Sequence, residues 1–413
     1  MMTVPTPHSL LLALVLTLLL PACDGQRRVE PSIELWDAWL DSPGGRLDFG
    51  LELSRDGSQA FATLVNGTER IEVPQAEWDG QALTLGMVHY DSAIHATMTD
   101  GRLDGGWERA SQLGTTTRMD FHATRRSGLE STSGSDRGLR PLAERWRVHF
   151  SLTDDPAVGV FEWRDDGAVR GTFLTTTGDY RFLAGSLDDD TLRLSTFDGA
   201  HAFLFEATFD ESGGLSGDFW SRDTWHETWR AQPDPEASLP DAFTLTRWIS
   251  DTPLSEIRYP DLDGNLRALS DEVFAGVRLI ELFGSWCPNC NDATQYLVEL
   301  DATYRQDGLT VIGLAFEMSG DPVRDREQLR IYADYHGLDY PLLLAGTTDK
   351  DDASRQFPHI DRVRAYPTFL FVDSDDQIRA VYSGFSGLAT GEAHRELRRQ
   401  FSGWIDTLLE EGA

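Results

Sequence analysis

The sequence predicts a multidomain chain in which an N-terminal antiparallel all-β region, a duplicated barrel or sandwich, is followed by an α/β domain. Three observations predict it. Residues 31–231 are short runs of alternating apolar and polar residues between Asp-Gly and Gly-Gly turns, such as Thr172-Phe173-Leu174 and Leu192-Arg193-Leu194. Landmarks in the first half of this region return in the second half at nearly constant spacing. From about Phe243 the pattern changes to strands alternating with helical segments, the grammar of a mixed sheet covered by helices.

The N-terminus comes first in chain order. Leu10 to Leu20 is an apolar run of signal-peptide length, too short to span a bilayer comfortably, so residues 1–22 are expected to be a signal peptide. The run ends in Leu20-Pro21-Ala22-Cys23, which resembles a bacterial lipobox. That resemblance implies cleavage before Cys23, lipidation of Cys23, and a short linker over 23–30 to a fold outside the cytoplasm. The chain departs from the pattern in having Pro21 and no Lys or Arg ahead of the apolar run.

The β region divides into a first repeat (31–126), a polar linker (127–140) opened by Ser127-Gly128-Leu129-Glu130-Ser131, and a second repeat (141–231). Trp36 matches Trp146 at an offset of 110, and Leu83-Thr84-Leu85 matches Leu192-Arg193-Leu194. Leu103-Asp104-Gly105-Gly106-Trp107 matches Leu215-Ser216-Gly217-Asp218-Phe219 at an offset of 112. A constant offset argues for duplication, with two small barrels or sandwiches, or one barrel closed by both halves, as the outcomes. No catalytic cluster stands here. His89, His95, His201 and His226 are scattered among strands and turns and are read as structural, and Asn66-Gly67-Thr68 as a turn. The Pro-rich stretch 232–242 is expected to be an extended tether.

Composition narrows the partners. Lys and Arg total 36 against 68 Asp and Glu, a formal charge of −32 spread over both halves of the chain. Such a field repels nucleic acid and anionic membrane surfaces. The remaining chemistry concentrates in residues 243–413. Leu309 to Phe316 reads as a buried strand and Pro322 to His336 as a helix capped by Gly337. Thr368 to Val372 and Ile378 to Tyr382 read as paired strands, and about Glu392 to Glu410 as a final amphipathic helix.

At its head, the apolar run Leu279-Ile280-Glu281-Leu282-Phe283 leads into Trp286-Cys287-Pro288-Asn289-Cys290. Two cysteines separated by two residues at a strand-to-helix turn can close a disulfide across the first helical turn. The first of them lies where unpaired N–H groups and the helix dipole favour a thiolate. Pro288 suits the first helical position, which needs no donor. This predicts dithiol–disulfide exchange, with Cys287 as nucleophile and Cys290 resolving the mixed disulfide. Two cysteines with no suitably spaced His pair argue against zinc, and no cofactor is expected.

Taken with Tyr259-Pro260-Asp261-Leu262-Asp263-Gly264-Asn265 before it, and Ala365-Tyr366-Pro367-Thr368-Phe369 and Tyr382-Ser383-Gly384-Phe385-Ser386-Gly387 after it, the motif resembles the thioredoxin fold. Within that fold it resembles the TlpA/ResA-like thiol–disulfide reductases, over roughly residues 255–411. The resemblance implies that Pro367 is a cis-proline beside the sulfurs, flanked by Tyr366 and Thr368. It also implies that Glu281 is a buried acid able to accept the Cys290 proton, and that Trp286 narrows access to the thiols. It further implies reduction of disulfides in exported proteins, apocytochrome c among them, with electrons from a membrane-embedded donor. A disulfide-forming oxidant uses the same motif, and a binding lipoprotein whose β half does the work is a third reading. The chain departs from the family in Asn291 after Cys290, in lacking an acid three residues after Cys290, and in the Pro288-Asn289 pair.

Overall fold

The protein is described by a computed structural model covering residues 32–56, 59–110, 115–126, 142–164 and 167–412. The 1–30 leader with Cys23 and the 127–140 linker lie outside the described residues.

The first repeat folds as β1 (Glu34–Ser42), β2 (Gly45–Asp56), β3 (Gln59–Asn66), β4 (Glu69–Glu72), β5 (Gln75–Trp78), β6 (Ala82–Met87), β7 (Ser92–Thr99), β8 (Arg102–Ala110) and β9 (Thr116–Arg125). Each strand is antiparallel to its sheet neighbour, in the order β4-β3-β2-β1-β9-β8-β7-β6-β5. The sheet curls until Val73 N–H, between β4 and β5, donates to Ala62 O on β3 at 3.0 Å.

The second repeat follows with β10 (Arg145–Phe150), β11 (Ala157–Trp163), β12 (Ala168–Thr175), β13 (Gly178–Asp179), β14 (Leu183–Asp188), β15 (Thr191–Phe197), β16 (Ala202–Phe209), β17 (Leu215–Ser221) and β18 (Trp225–Pro233). Here pairing of β11 with β12 closes the ring, leaving β13 as a stub on β12. In both sheets the first strand pairs with the last.

The landmarks matched by offset occupy equivalent strands. Buried Trp36 and Trp146 lie on β1 and β10, buried Leu85 and Leu194 on β6 and β15, and buried Trp107 and Phe219 on β8 and β17.

The two sheets share a core. On β16, Phe203 and Phe205 point into their own barrel, while Leu204 joins Phe197 and Ala202 in the core of the first. A strand buried on both faces explains the unbroken apolar run Phe203-Leu204-Phe205. Asn66 seals the seam by donating to Phe197 O at 3.0 Å and accepting from Phe197 N–H at 3.1 Å, so the Asn66-Gly67-Thr68 turn is an inter-barrel contact.

The Pro-rich stretch departs from expectation. Gln232 and Pro233 extend β18 against Arg147 and Trp146, and Arg145 Nε donates to Ala237 O at 2.7 Å. It is a docked segment rather than a free tether, because Ala237 packs with Val158 and Leu174.

The last unit opens with a hairpin, β19 (Arg258–Pro260) and β20 (Leu266–Ala268), followed by β21 (Val277–Phe283), β22 (Leu309–Glu317), β23 (Leu342–Thr347), β24 (Thr368–Val372) and β25 (Ile378–Ser383). The main sheet runs β23-β22-β21-β24-β25, parallel among its first three strands and antiparallel at β21–β24 and β24–β25. Helices α1 (Pro288–Tyr304), α2 (Pro322–His336), α3 (Lys350–Gln356) and α4 (Glu392–Glu411) complete it. Gly337 ends α2 at φ 63°, as its sequence position predicted. Among the described residues, no helix is long and apolar enough to cross a membrane.

Candidate active site

β21 is the central strand, and every residue on it is buried. Two of those residues carry charge, and the structure treats them oppositely. Arg278 reaches Asp376 and the carbonyls of Leu269 and Asp373. Glu281 is 1% exposed, and neither of its carboxylate oxygens has a hydrogen-bond partner. Burial alone pushes its carboxyl well above the ordinary range. An unpartnered buried carboxyl is costly, so its persistence points to use rather than to stability.

The Glu281 carboxyl is linked to the start of α1 through Tyr332. Its charge acts on the buried hydroxyls of Tyr332 and Tyr340, and the Tyr332 hydroxyl donates to Thr294 Oγ1 at 2.8 Å and approaches Cys290 O at 3.4 Å.

Cys287 and Cys290 form a disulfide, with Cα atoms 5.2 Å apart. Cys287 is the N-cap of α1, its sulfur accepting from Cys290 N–H at 3.2 Å, and Pro288 takes the first helical position. A helix N-terminus offers donors and a positive field to a sulfur that becomes a thiolate. The Tyr366–Pro367 peptide is cis, and Tyr366 O lies 3.6 Å from Cys287 Sγ. Thr368 braces this loop through Oγ1 to Ala365 O at 2.9 Å. Trp286 donates from Nε1 to Phe316 O at 2.8 Å and meets Tyr366 edge to face.

The structure therefore brings Glu281, Trp286, Cys287, Pro288, Asn289, Cys290, Tyr366, Pro367 and Thr368 into one site. Cys287 is the more exposed of the two cysteines, at 5% against 0% for Cys290, but both are buried. Barrel groups reach the site: the Arg109 side chain donates from Nη2 to Trp286 O at 2.5 Å, and the Asp179 backbone carbonyl accepts from Asn289 Nδ2 at 3.3 Å.

Sequence reasoning missed these contacts and one more acid. Glu317 ends β22 and accepts from both Ser285 N–H and Ser285 Oγ at 2.8 Å, holding the turn that carries Cys287. Burial raises its carboxyl to about 8. Its signal was its place, at the C-terminal end of a parallel strand, where sites of open α/β sheets lie.

Comparison with known proteins agrees with this geometry. No family model matches the chain. The thiol–disulfide oxidoreductase ResA of Geobacillus kaustophilus is 26% identical over 136 residues, which is 33% of this chain and 70% of that protein. ResA of Geobacillus thermodenitrificans is 25% identical over 124 residues, 30% of this chain and 63% of that protein. A thioredoxin-family thiol:disulfide interchange protein from Chlorobium tepidum is 18% identical, covering 39% of this chain and 98% of that one at a TM-score of 0.29. A secreted Mycobacterium tuberculosis disulfide oxidoreductase is 17% identical, at 38% and 100% coverage and the same TM-score of 0.29. With its dithiol at the helix mouth and its proline loop against the sulfur, the C-terminal part of this chain is a TlpA/ResA-like thioredoxin-fold unit, and its enzymatic class is thiol–disulfide oxidoreductase.

Proposed function

We propose that this protein is an extracytoplasmic reductase of disulfides in exported proteins, apocytochrome c among them, held to a membrane through lipid on Cys23. The observation that carries the reading is the dithiol set between the Tyr366–Pro367 loop and a buried carboxyl without a partner. In the reduced enzyme the Cys287 thiolate attacks one sulfur of a partner disulfide. The partner S–S bond breaks, a Cys287–partner disulfide forms, and the released partner thiolate takes up a proton. Glu281, as carboxylate, accepts the Cys290 proton. The Cys290 thiolate then attacks Cys287 Sγ, releasing the second partner thiol and closing Cys287–Cys290. Two electrons pass to the partner, and a membrane-embedded dithiol donor restores them. The −32 charge supports exported proteins rather than nucleic acid as partners.

The test is the midpoint potential of the full chain, with Cys290→Ala used to capture partners from an envelope fraction. A potential near the thioredoxin value of about −270 mV, with exported Cys-containing proteins captured, is expected. A potential near the oxidant value of about −120 mV would reverse the direction of electron flow.

A further inference from the structure

Thiol–disulfide exchange has a steric demand. The attacked sulfur must line up with Cys287 Sγ, so a protein substrate has to bring its own backbone across the face formed by Cys287, Asn289 and the Pro367 loop. In this chain that face is already covered.

The turn between β12 and β13 lies on it. The Thr176 and Thr177 backbone crowds Gly384, where a Cβ would meet Thr176 O at 3.1 Å. A Cβ on Gly178 would collide with the Asn289 side chain. Asp179 ties the turn down twice, accepting from Asn289 Nδ2 through its carbonyl and from Gly387 N–H through Oδ2 at 2.5 Å. Arg109, from the first barrel, holds Trp286 O.

Arg181, just after the turn, latches all three units. Its guanidinium pairs with Glu69 of the first barrel at 2.8 Å, with Asp198 of the second at 3.3 Å, and with Asp292 of α1, two residues beyond Cys290. All four side chains are largely removed from water.

We infer that the β half is the specificity element of the dithiol: Arg109, the Thr176–Asp179 turn and the Arg181 latch decide which disulfides reach Cys287, admitting a protein only when they part from α1. This rests on the exchange activity proposed above and assigns the β half its task. Small disulfides need only a gap beside Cys287, whereas a polypeptide needs the ground the turn now holds.

The experiment uses the full chain, reduced with dithiothreitol and freed of it, and compares oxidation rates by 4,4′-dithiodipyridine and by insulin. Asp292→Asn cuts the latch at α1 while leaving Arg181 paired with Glu69 and Asp198. Arg109→Met removes the hold on Trp286. Each variant is expected to speed the insulin reaction about tenfold or more, the size of a modest shift toward an open population, with the dithiodipyridine rate nearly unchanged. In the unmutated protein, alkylation of Cys287 by a polyethylene-glycol maleimide should lag well behind alkylation by iodoacetamide. Unchanged insulin rates in both variants would overturn the inference, as would equal acceleration with both disulfides or equal alkylation by both reagents. If no form of the protein reacts with either disulfide, the exchange reading itself fails, a result distinct from these.

Discussion

The dithiol is enclosed by two regions built on opposite principles. Its floor belongs to the thioredoxin-like unit: Glu281 on β21, with Tyr332 and Tyr340 near it, a carboxyl left without a partner. Its roof belongs to the barrels, where Arg181 is met by Glu69, Asp198 and Asp292. The floor withholds compensation, so its acid changes proton affinity and can serve chemistry. The roof pairs its charges, so its ions fix position and can serve access, although burial still raises the Glu69 carboxyl to about 7. A buried charge says little until its partners are known.

That contrast breaks most sharply at Arg181. Arg181→Met alone leaves three carboxylates buried around an apolar chain and should destabilise the protein by about 3–5 kcal/mol. Urea unfolding measures this, and pairing it with Asp292→Asn and Glu69→Gln should recover most of the loss. A small loss from Arg181→Met alone would mean that the roof is not held by its ions.

The floor is tested by Glu281→Gln, which keeps shape and removes the base. Closure of the Cys287–Cys290 disulfide should slow about a hundredfold at neutral pH, and the rise of this rate with pH should flatten. Stability should move the other way. Because the folded carboxyl is raised, its contribution is present below the unfolded value of about 4.3 and is lost as pH rises through the folded value. The Gln variant should therefore gain on the parent with increasing pH, which denaturant melts at pH 5 and pH 9 will read.

The smallest effect concerns the seat of the first barrel on α2. His89 stacks on Tyr335 at 3.9 Å, with His336 6.4 Å away, and burial lowers the two imidazoles to about 3 and about 4. Depressed histidines stabilise above their unfolded value and lose that contribution as pH falls. His89→Phe should therefore lose about 1–2 kcal/mol less than the parent between pH 7 and pH 5, a difference free of the raised acids Glu281 and Glu317, which act in the opposite sense. The same pH dependence in parent and variant would show that this contact does not hold the barrel.

Local pattern determined a good deal. The period of Pro322 to His336, with Gly337 beyond it, specifies α2 because capping and amphipathicity are encoded within one segment. The cysteine pair and Pro288 specify the head of α1 for the same reason, and alternation with repeated landmarks specifies two β units. What the tertiary structure decided is long-range. Nothing within Thr176–Asp179 signals that it will lie on Asn289, about a hundred residues along the chain. Nothing around Arg181 names Glu69 and Asp292 as its partners. Even Cys287, a nucleophile by local logic, is only 5% exposed, with barrel groups held on its neighbours Trp286 and Asn289. Backbone propensity and side-chain period act over a few residues, whereas burial and ion pairing depend on which surfaces meet when the barrels dock.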